Sequence, residues 1–247
     1  MCGIGGMLGH PDKAVLQRMN RLQKHRGPDD EDVWLDEHLG LAHARLAIVD
    51  VASSQQPMHG HHGAVLVVNG EIYNHTALRE KHPNYPFNTS GDSEAILALH
   101  AAATASASGP LTASEHAAWI GHLDGMYAFA LWDETTRQLL LARDPMGIKP
   151  LIRCRVAENL LFSSEVKALG ADERYKPELD ELALAARLVW EYPLDATTLL
   201  KGVHQVRPGT VECWSLDEKG SAVLLATADI ERQALQPAAA WNAATEA

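Results

Sequence analysis

A few residues in this chain could do chemistry together if folding gathered them: Cys2, Asn69 with Gly70, Arg45, and the carboxylates Glu71 and Asp92. Cys2 stands directly behind Met1, so loss of the methionine leaves a thiol and a free α-amine on one residue. The reference pKa values of these two groups are close, and moving the thiol proton to the amine costs only about 1 kcal/mol before any tuning. One residue then supplies both nucleophile and general base, and the amine carries the proton on to the leaving group. Attack by such a nucleophile builds a tetrahedral oxyanion, which needs donors aimed at it. In NGEIYN (69–74), the Asn69 amide and the Gly70 backbone N–H could both point at one oxygen, with Gly70 allowing close backbone approach. Arg45, inside an otherwise apolar run, offers a fork for an α-carboxylate, and Glu71 and Asp92 offer partners for an α-ammonium. Taken singly, each residue has a plainer use: Asn-Gly as a strand-ending turn, Asp92 as a helix cap, Arg45 as a solvent-facing side chain.

The elements that must position these groups are mostly strands. Residues 3–8 are small and apolar, as a buried strand is, and GIGG places three of the glycines there. Val15, Leu16, Met19 and Leu22 recur at helical spacing, with Pro11 suited to the first turn. HRGPD (25–29) is a loop by its Gly-Pro, and LGLAHARLAIVD (39–50) and AVLVVNGEIYN (64–74) are β-rich runs that end in polar residues. A short helix is expected over 77–81 and a longer one over 92–103, followed by an Ala/Ser/Gly-rich connection from 101 to 110. Residues 126–144 form two alternating runs around a DETT turn, a hairpin signal. LIRCRV and LLFSSEV continue the strand pattern, and 178–190 returns to helix. Trp34, Trp119, Trp132 and Trp190 are expected in the core or at its edge. Many strands, few helices and no regular βαβ alternation predict an α+β fold with layered antiparallel sheets.

Composition narrows the class. The 247 residues carry 32 acidic and 21 basic side chains, net −11, with no Lys/Arg block, which argues against nucleic acid and anionic membranes as partners. No apolar run approaches the ~20 residues of a membrane span, and no signal-peptide layout opens the chain. The cysteines Cys2, Cys154 and Cys213 lack CxxC spacing, which points to a reduced, cytoplasmic protein. In HGHH (59–62) the histidines His59, His61 and His62 are too close in sequence to form a metal site without distant ligands. No metal or cofactor is expected.

Cys2, HRGPD, HARLAIVD, NGEIYN and GDSEAI, in that order, make the chain resemble the glutaminase domain of class II glutamine amidotransferases, the N-terminal-nucleophile hydrolases that take ammonia from glutamine. LDGMYAFALWD (123–133), RDPMGIKPL (143–151), FSSEVKAL (162–169) and KGVHQVRPGT (201–210) look most like the asparagine synthetase branch. The resemblance covers residues 2–215 and implies a four-layer αββα sandwich of two antiparallel sheets. It also implies roles, residue by residue. Cys2 matches the nucleophile, and Asn69 and Gly70 match the oxyanion hole. Arg45 matches the α-carboxylate clamp, and Ile48 and Val49 belong to the segment whose backbone lines that pocket. Glu71 and Asp92 match the carboxylates at the α-ammonium, and Arg26 lies in a signature loop with a structural or gating part. Asp29, Arg143, Asp144 and Lys149 match signature positions that brace the fold.

Two departures stand out: Gly91 replaces a frequent Ser before the aspartate, and Ile152-Arg153 replaces an aromatic pair. An SGGxDS-type pyrophosphate loop is absent; its only lookalike, SGDSE (90–94), lies within the glutamine site. The expected activity is hydrolysis of L-glutamine to glutamate and ammonia. The ammonia would serve an ATP-dependent synthetase or transferase on another chain or outside this sequence. A silent glutamine-binding regulatory subunit, or an amidase for a different amide, are the alternatives. Residues 216–247 are Ala-rich and loosely patterned, and are expected to form a poorly ordered extension.

Overall fold

The computed structural model describes residues 1–192 and 195–231. In chain order its strands are β1 (Gly3–Leu8), β2 (Asp30–Leu35), β3 (Leu39–Arg45), β4 (Met58–His59), β5 (Ala64–Ile72), β6 (Gly125–Asp133), β7 (Gln138–Arg143), β8 (Ile152–Val156), β9 (Asn159–Ser163), β10 (Val203–Gln205), β11 (Thr210–Leu216) and β12 (Ala222–Asp229). The helices are α1 (Lys13–Gln23), α2 (His75–Lys81), α3 (Glu94–Thr104), α4 (Ala113–Ile120), α5 (Val166–Leu169) and α6 (Glu181–Trp190). Two six-stranded sheets result, ordered β10-β8-β9-β1-β3-β2 and β12-β11-β7-β6-β5-β4, antiparallel throughout.

Strand alternation turns these sheets into four layers. Ile4, Leu8, Leu39 and Leu41 meet Val65, Val67, Ala128, Trp132 and Leu139 in a core between the sheets. On the outer face of the first sheet, Met7 and Ala42 pack on Val15, Leu16 and Met19 of α1 and on Leu169 of α5. On the outer face of the second, Leu66, Phe129 and Leu131 pack on Ile96 and Leu97 of α3 and on Trp119 and Ile120 of α4. The αββα sandwich is the expected one. Part of the glycine cluster in β1 has a packing reason: a Cβ on Gly6 would lie 2.2 Å from the Phe162 ring and 2.7 Å from the Gly40 carbonyl.

Several local expectations are corrected. α1 starts at Lys13 with Asp12 as its cap, whose Oδ1 accepts from Ala14 N (2.7 Å) and Val15 N (3.3 Å), so Pro11 precedes the helix. Helix α4 and strand β2 had no sequence signal strong enough to name; α4 is closed by a Thr112–Glu115 capping box. β12 is a strand, paired to β11 with a register shift between Cys213 and Trp214, in the stretch after Leu216 where no element was expected; residues 232–247 of that stretch lie outside the described residues. Trp132 and Trp119 are buried as expected, but Trp190 is exposed, at the end of an α6 that buries none of its residues.

Candidate active site

The same alternation that builds the inter-sheet core aims the chemistry. Ile4 and Leu8 face that core, so Cys2, two residues before Ile4, faces it as well. Leu39 and Leu41 set the face of His43 and Arg45, and Val65 and Val67 set that of Asn69. Because Gly3 pairs with Ala44, the start of β1 and the end of β3 coincide. Cys2, Arg45 and Asn69 therefore meet at one end of the sandwich. They line a cavity of about 80 Å³ together with Met1, Ile48, Val49, Gly70, Glu71 and Asp92. Larger clefts of about 500 and 490 Å³ lie over α2 and α3, away from Cys2.

At one end of the cavity the thiol is held by backbone. Leu46 N–H donates to Cys2 Sγ at 3.4 Å, and Sγ lies 3.7 Å from the Leu46 carbonyl. Arg26 fixes the adjoining main chain, donating from Nε to the Cys2 carbonyl (2.9 Å) and from Nη1 to Glu165 Oε1 (2.9 Å). Partial burial works to raise Glu165, but hydrogen bonds from Arg26, His25 and Lys167 hold its carboxyl down at about 2. Asp29 braces the facing loop by accepting from Ala47 N at 2.8 Å. Burial is the main force holding the Met1 ammonium below its ordinary value; Arg26 and Lys149 add to it, against Cys2 and Asp29.

The donor pair lines the same cavity. Asn69 is 1% exposed, and among the described residues neither its Nδ2 nor its Oδ1 has a hydrogen-bond partner. A buried amide left unpaired costs stability, so its retention in a cavity wall points to a ligand that completes it. Asn69-Gly70 is not a turn: both residues lie within β5, paired with Ala128 and Tyr127 of β6. Gly70 is required by that pairing, since its Cβ would lie 2.6 Å from the Met126 carbonyl and 2.8 Å from Tyr127 Cα.

At the other end, Arg45 is buried and does not face solvent. Its Nη1 and Nη2 donate to the carbonyls of Val51 (2.9 Å) and Asp50 (2.8 Å), which leaves each terminal nitrogen one further N–H. Asp50, at φ 47°, ties the loop down: its Oδ2 accepts from Ser53 Oγ, Ser54 Oγ and Ser90 N, and these bonds hold its carboxyl well below the usual range. Ile48 lines the cavity with its side chain 70% exposed. Asp92 is not the α3 cap; its Oδ2 accepts from Ile72 N at 2.7 Å, and Ser93 occupies the cap position without a capping bond. The replacement at Gly91 also finds a reason, because a Cβ there would lie 2.1 Å from Ser54 Oγ.

The RDPMGIK segment divides. Arg143 donates to the carbonyls of Lys149, Val206 and Gly147 and to Gln205 Oε1, and Asp144 accepts from Met146, Ile148 and Lys149 N–H groups. Those two brace the loop. Lys149, 5% exposed, instead lines the cavity that Cys2 also lines. His43 and Gln56 were missed by sequence reasoning. His43 lies two residues before Arg45, which puts both on one strand face, a signal that was available in the pattern.

Two antiparallel sheets stacked face to face thus put a cysteine ahead of a central strand and an unpartnered buried amide into the wall of one cavity. The chain belongs to the glutamine amidotransferase domain family, which matches residues 1–224. It is 34% identical over 220 residues to asparagine synthetase [glutamine-hydrolyzing] 1 of Bacillus subtilis, covering 85% of this chain and 33% of that protein. It is 39% identical over 180 residues to asparagine synthetase [glutamine-hydrolyzing] 3 of Arabidopsis thaliana, covering 70% of this chain and 29% of that one. The chain thus spans about a third of the length of these relatives. In fold it is similar to the glutamine phosphoribosylpyrophosphate amidotransferase of B. subtilis, with TM-score 0.61 at 18% identity, over 94% of this chain and 50% of that one.

Proposed function

We propose that this domain hydrolyses L-glutamine to glutamate and ammonia at Cys2 once Met1 has been removed. The observation that carries the reading is one cavity lined by Cys2, the unpartnered Asn69 amide, Arg45, Glu71 and Asp92. Met1 lines the same cavity, so its loss both frees the α-amine and opens space for the substrate.

Cys2 Sγ attacks the side-chain amide carbon while its proton passes to the α-amine. The oxyanion is taken by Asn69 Nδ2 and the Gly70 N–H. The C–N bond then breaks, the α-ammonium returns a proton to the leaving nitrogen, and ammonia departs from a thioester. Water, activated by the same amine, releases glutamate and restores the thiol. Arg45 takes the α-carboxylate with its remaining N–H groups, the backbone around Ile48 and Val49 closes over it, and Glu71 and Asp92 receive the α-ammonium. Arg26 holds the Cys2 carbonyl and thereby the direction of the nucleophile. The ammonia serves an ATP-dependent synthetase or transferase, on another chain or beyond this sequence; the greater length of the asparagine synthetases supports this. Cys2, Cys154 and Cys213 are unpaired, which supports a cytoplasmic setting.

The test is the intact mass of the chain before and after a glutamine-shaped chloroketone, together with glutamate release from glutamine. The expected result is a chain lacking Met1 that gains one adduct, with turnover that C2A abolishes while the melting temperature holds. Turnover retained in C2A would falsify the mechanism.

A further inference from the structure

β5 has one edge that the sheet does not complete. It pairs with β6 from Ala64 to Ile72, but with β4 only at Val65 and Leu66. An unpaired edge exposes backbone groups that must be satisfied or recruit another strand. Here side chains finish it. Val68 N–H donates to Gln56 Oε1 at 2.6 Å, His43 Nε2 donates to the Val68 carbonyl at 3.3 Å, and Ile72 N–H donates to Asp92 Oδ2. Antiparallel alternation turns the Gly70 N–H toward this same edge, between the two fastened peptides. His43 comes from the opposite sheet, on the strand that carries Arg45, so its bond also ties the two halves of the cavity together.

We infer that His43 and Gln56 are positioning residues for the oxyanion hole: they clamp both backbone polar groups of Val68, and with them the peptides on either side of it, and so fix where the Asn69 amide and Gly70 N–H point. The inference rests on the glutaminase reading above. Neither residue need touch glutamine. Their effect falls on the tetrahedral intermediate, because a donor displaced by a few tenths of an ångström still admits the planar amide but meets the oxyanion badly. His43 is buried and neutral, which suits it to the work: a carbonyl accepts only a donor, so Nε2 carries the proton.

The test compares H43L, H43Q and Q56L with the wild type in kcat and KM for glutamine. It also measures affinity for glutamate γ-semialdehyde, whose aldehyde adds the thiol to give an oxyanion-like adduct. H43L and Q56L are each expected to lower kcat about tenfold, less than the ~10²–10³ that follows loss of a donor outright. KM stays within about twofold and aldehyde affinity falls in step with kcat, since the interaction belongs to the intermediate. H43Q, whose amide N–H can reach the same carbonyl, recovers most of the loss. Q56L acts on the same residue's backbone from outside the strands, so the inference stands or falls even where H43L does not fold. A rise in KM at constant kcat, an H43Q no better than H43L, or a Q56L with wild-type kcat overturns it. A wild type that releases no glutamate overturns the parent reading instead, whereas an active wild type with unchanged variants overturns this inference alone.

Discussion

The two groups of residues that line the cavity, the proposed nucleophile end and the proposed amino-acid end, are built on opposite plans. Around the oxyanion position the donor amide is left unpartnered while its support is tied: the Asn69 amide is orphaned, yet Val68 before it is bonded at both polar groups. At the amino-acid end two charged groups are already engaged, Arg45 with two loop carbonyls and Asp92 with Ile72 N–H. An oxyanion exists only fleetingly, so its donors must be preorganised and empty. A carboxylate and an ammonium are present throughout binding. Groups that meet them can keep neutral partners, which hold their geometry without cancelling their charge.

This contrast predicts a division between kcat and KM. N69A deletes a preorganised donor and is expected to lower kcat by about 10²–10³ with KM little changed. Steady-state kinetics on glutamine check it, and a loss expressed mainly in KM would erase the distinction between the two ends.

The nucleophile-end support also carries a pH signature in stability. Burial, opposed by the Val68 bond and helped by Arg45, pushes His43 down to about 4 from the ordinary 6.5. A histidine whose folded value is depressed stabilises the fold fully above the unfolded value, because both states are then neutral. As pH falls from about 6.5 toward 4, the unfolded chain takes up the proton first and stability drops, by roughly 3 kcal/mol for this one group. His100, buried and pushed down to about 4, adds to the same slope. Denaturant melts from pH 7.5 to 4 should show the loss, and H43Q should have a shallower slope. An equal slope in the variant would mean that His43 is not the neutral, buried donor described here.

How far these ends could be read in the sequence differs for the same reason. The sandwich was legible because its signal is alternation, as in LGLAHAR and AVLVVNGEI, and the motifs placed Cys2, Asn69 and Arg45 on strands or beside them. His43 and Gln56 were not legible as a pair. Their link to Val68 spans 25 and 12 positions and exists only because β4 is two residues long, a fact of sheet topology that no local pattern carries. For Asp92 the sequence leaves capping and substrate binding both open, because a carboxylate before a helix has the same local signature whether it bonds to that helix or to a strand. β12 was missed because Ala-rich strands lack the β-branched pattern, and its pairing with β11 supplies what propensity does not.

At the amino-acid end, R45K keeps the charge but loses the planar fork that serves both carbonyls and a carboxylate. KM for glutamine is expected to rise about tenfold, or about 1.4 kcal/mol, with a smaller change in kcat. Glutamine analogues lacking the α-carboxylate should bind wild type and R45K alike. If R45K weakens both equally, Arg45 acts only through the loop it ties.

The smallest expected effect lies where that loop meets the turn before Asp92. Ser54 Oγ occupies the space that a side chain at position 91 would need, and it donates to Asp50 Oδ2 at 3.1 Å. G91A therefore forces Ser54 out of its bond, at a cost of about 1 kcal/mol. S54A loses the same hydrogen bond but opens the space. The double variant G91A/S54A should then be more stable than the two separate losses imply, by about 0.5–1 kcal/mol of coupling. Denaturant melts of the four proteins close the cycle. Strict additivity would mean that the loop and the turn are set independently. Coupling would show that the glycine before Asp92 and the serine after Asp50 fill one site, the loop's hydroxyl standing where the turn has no side chain.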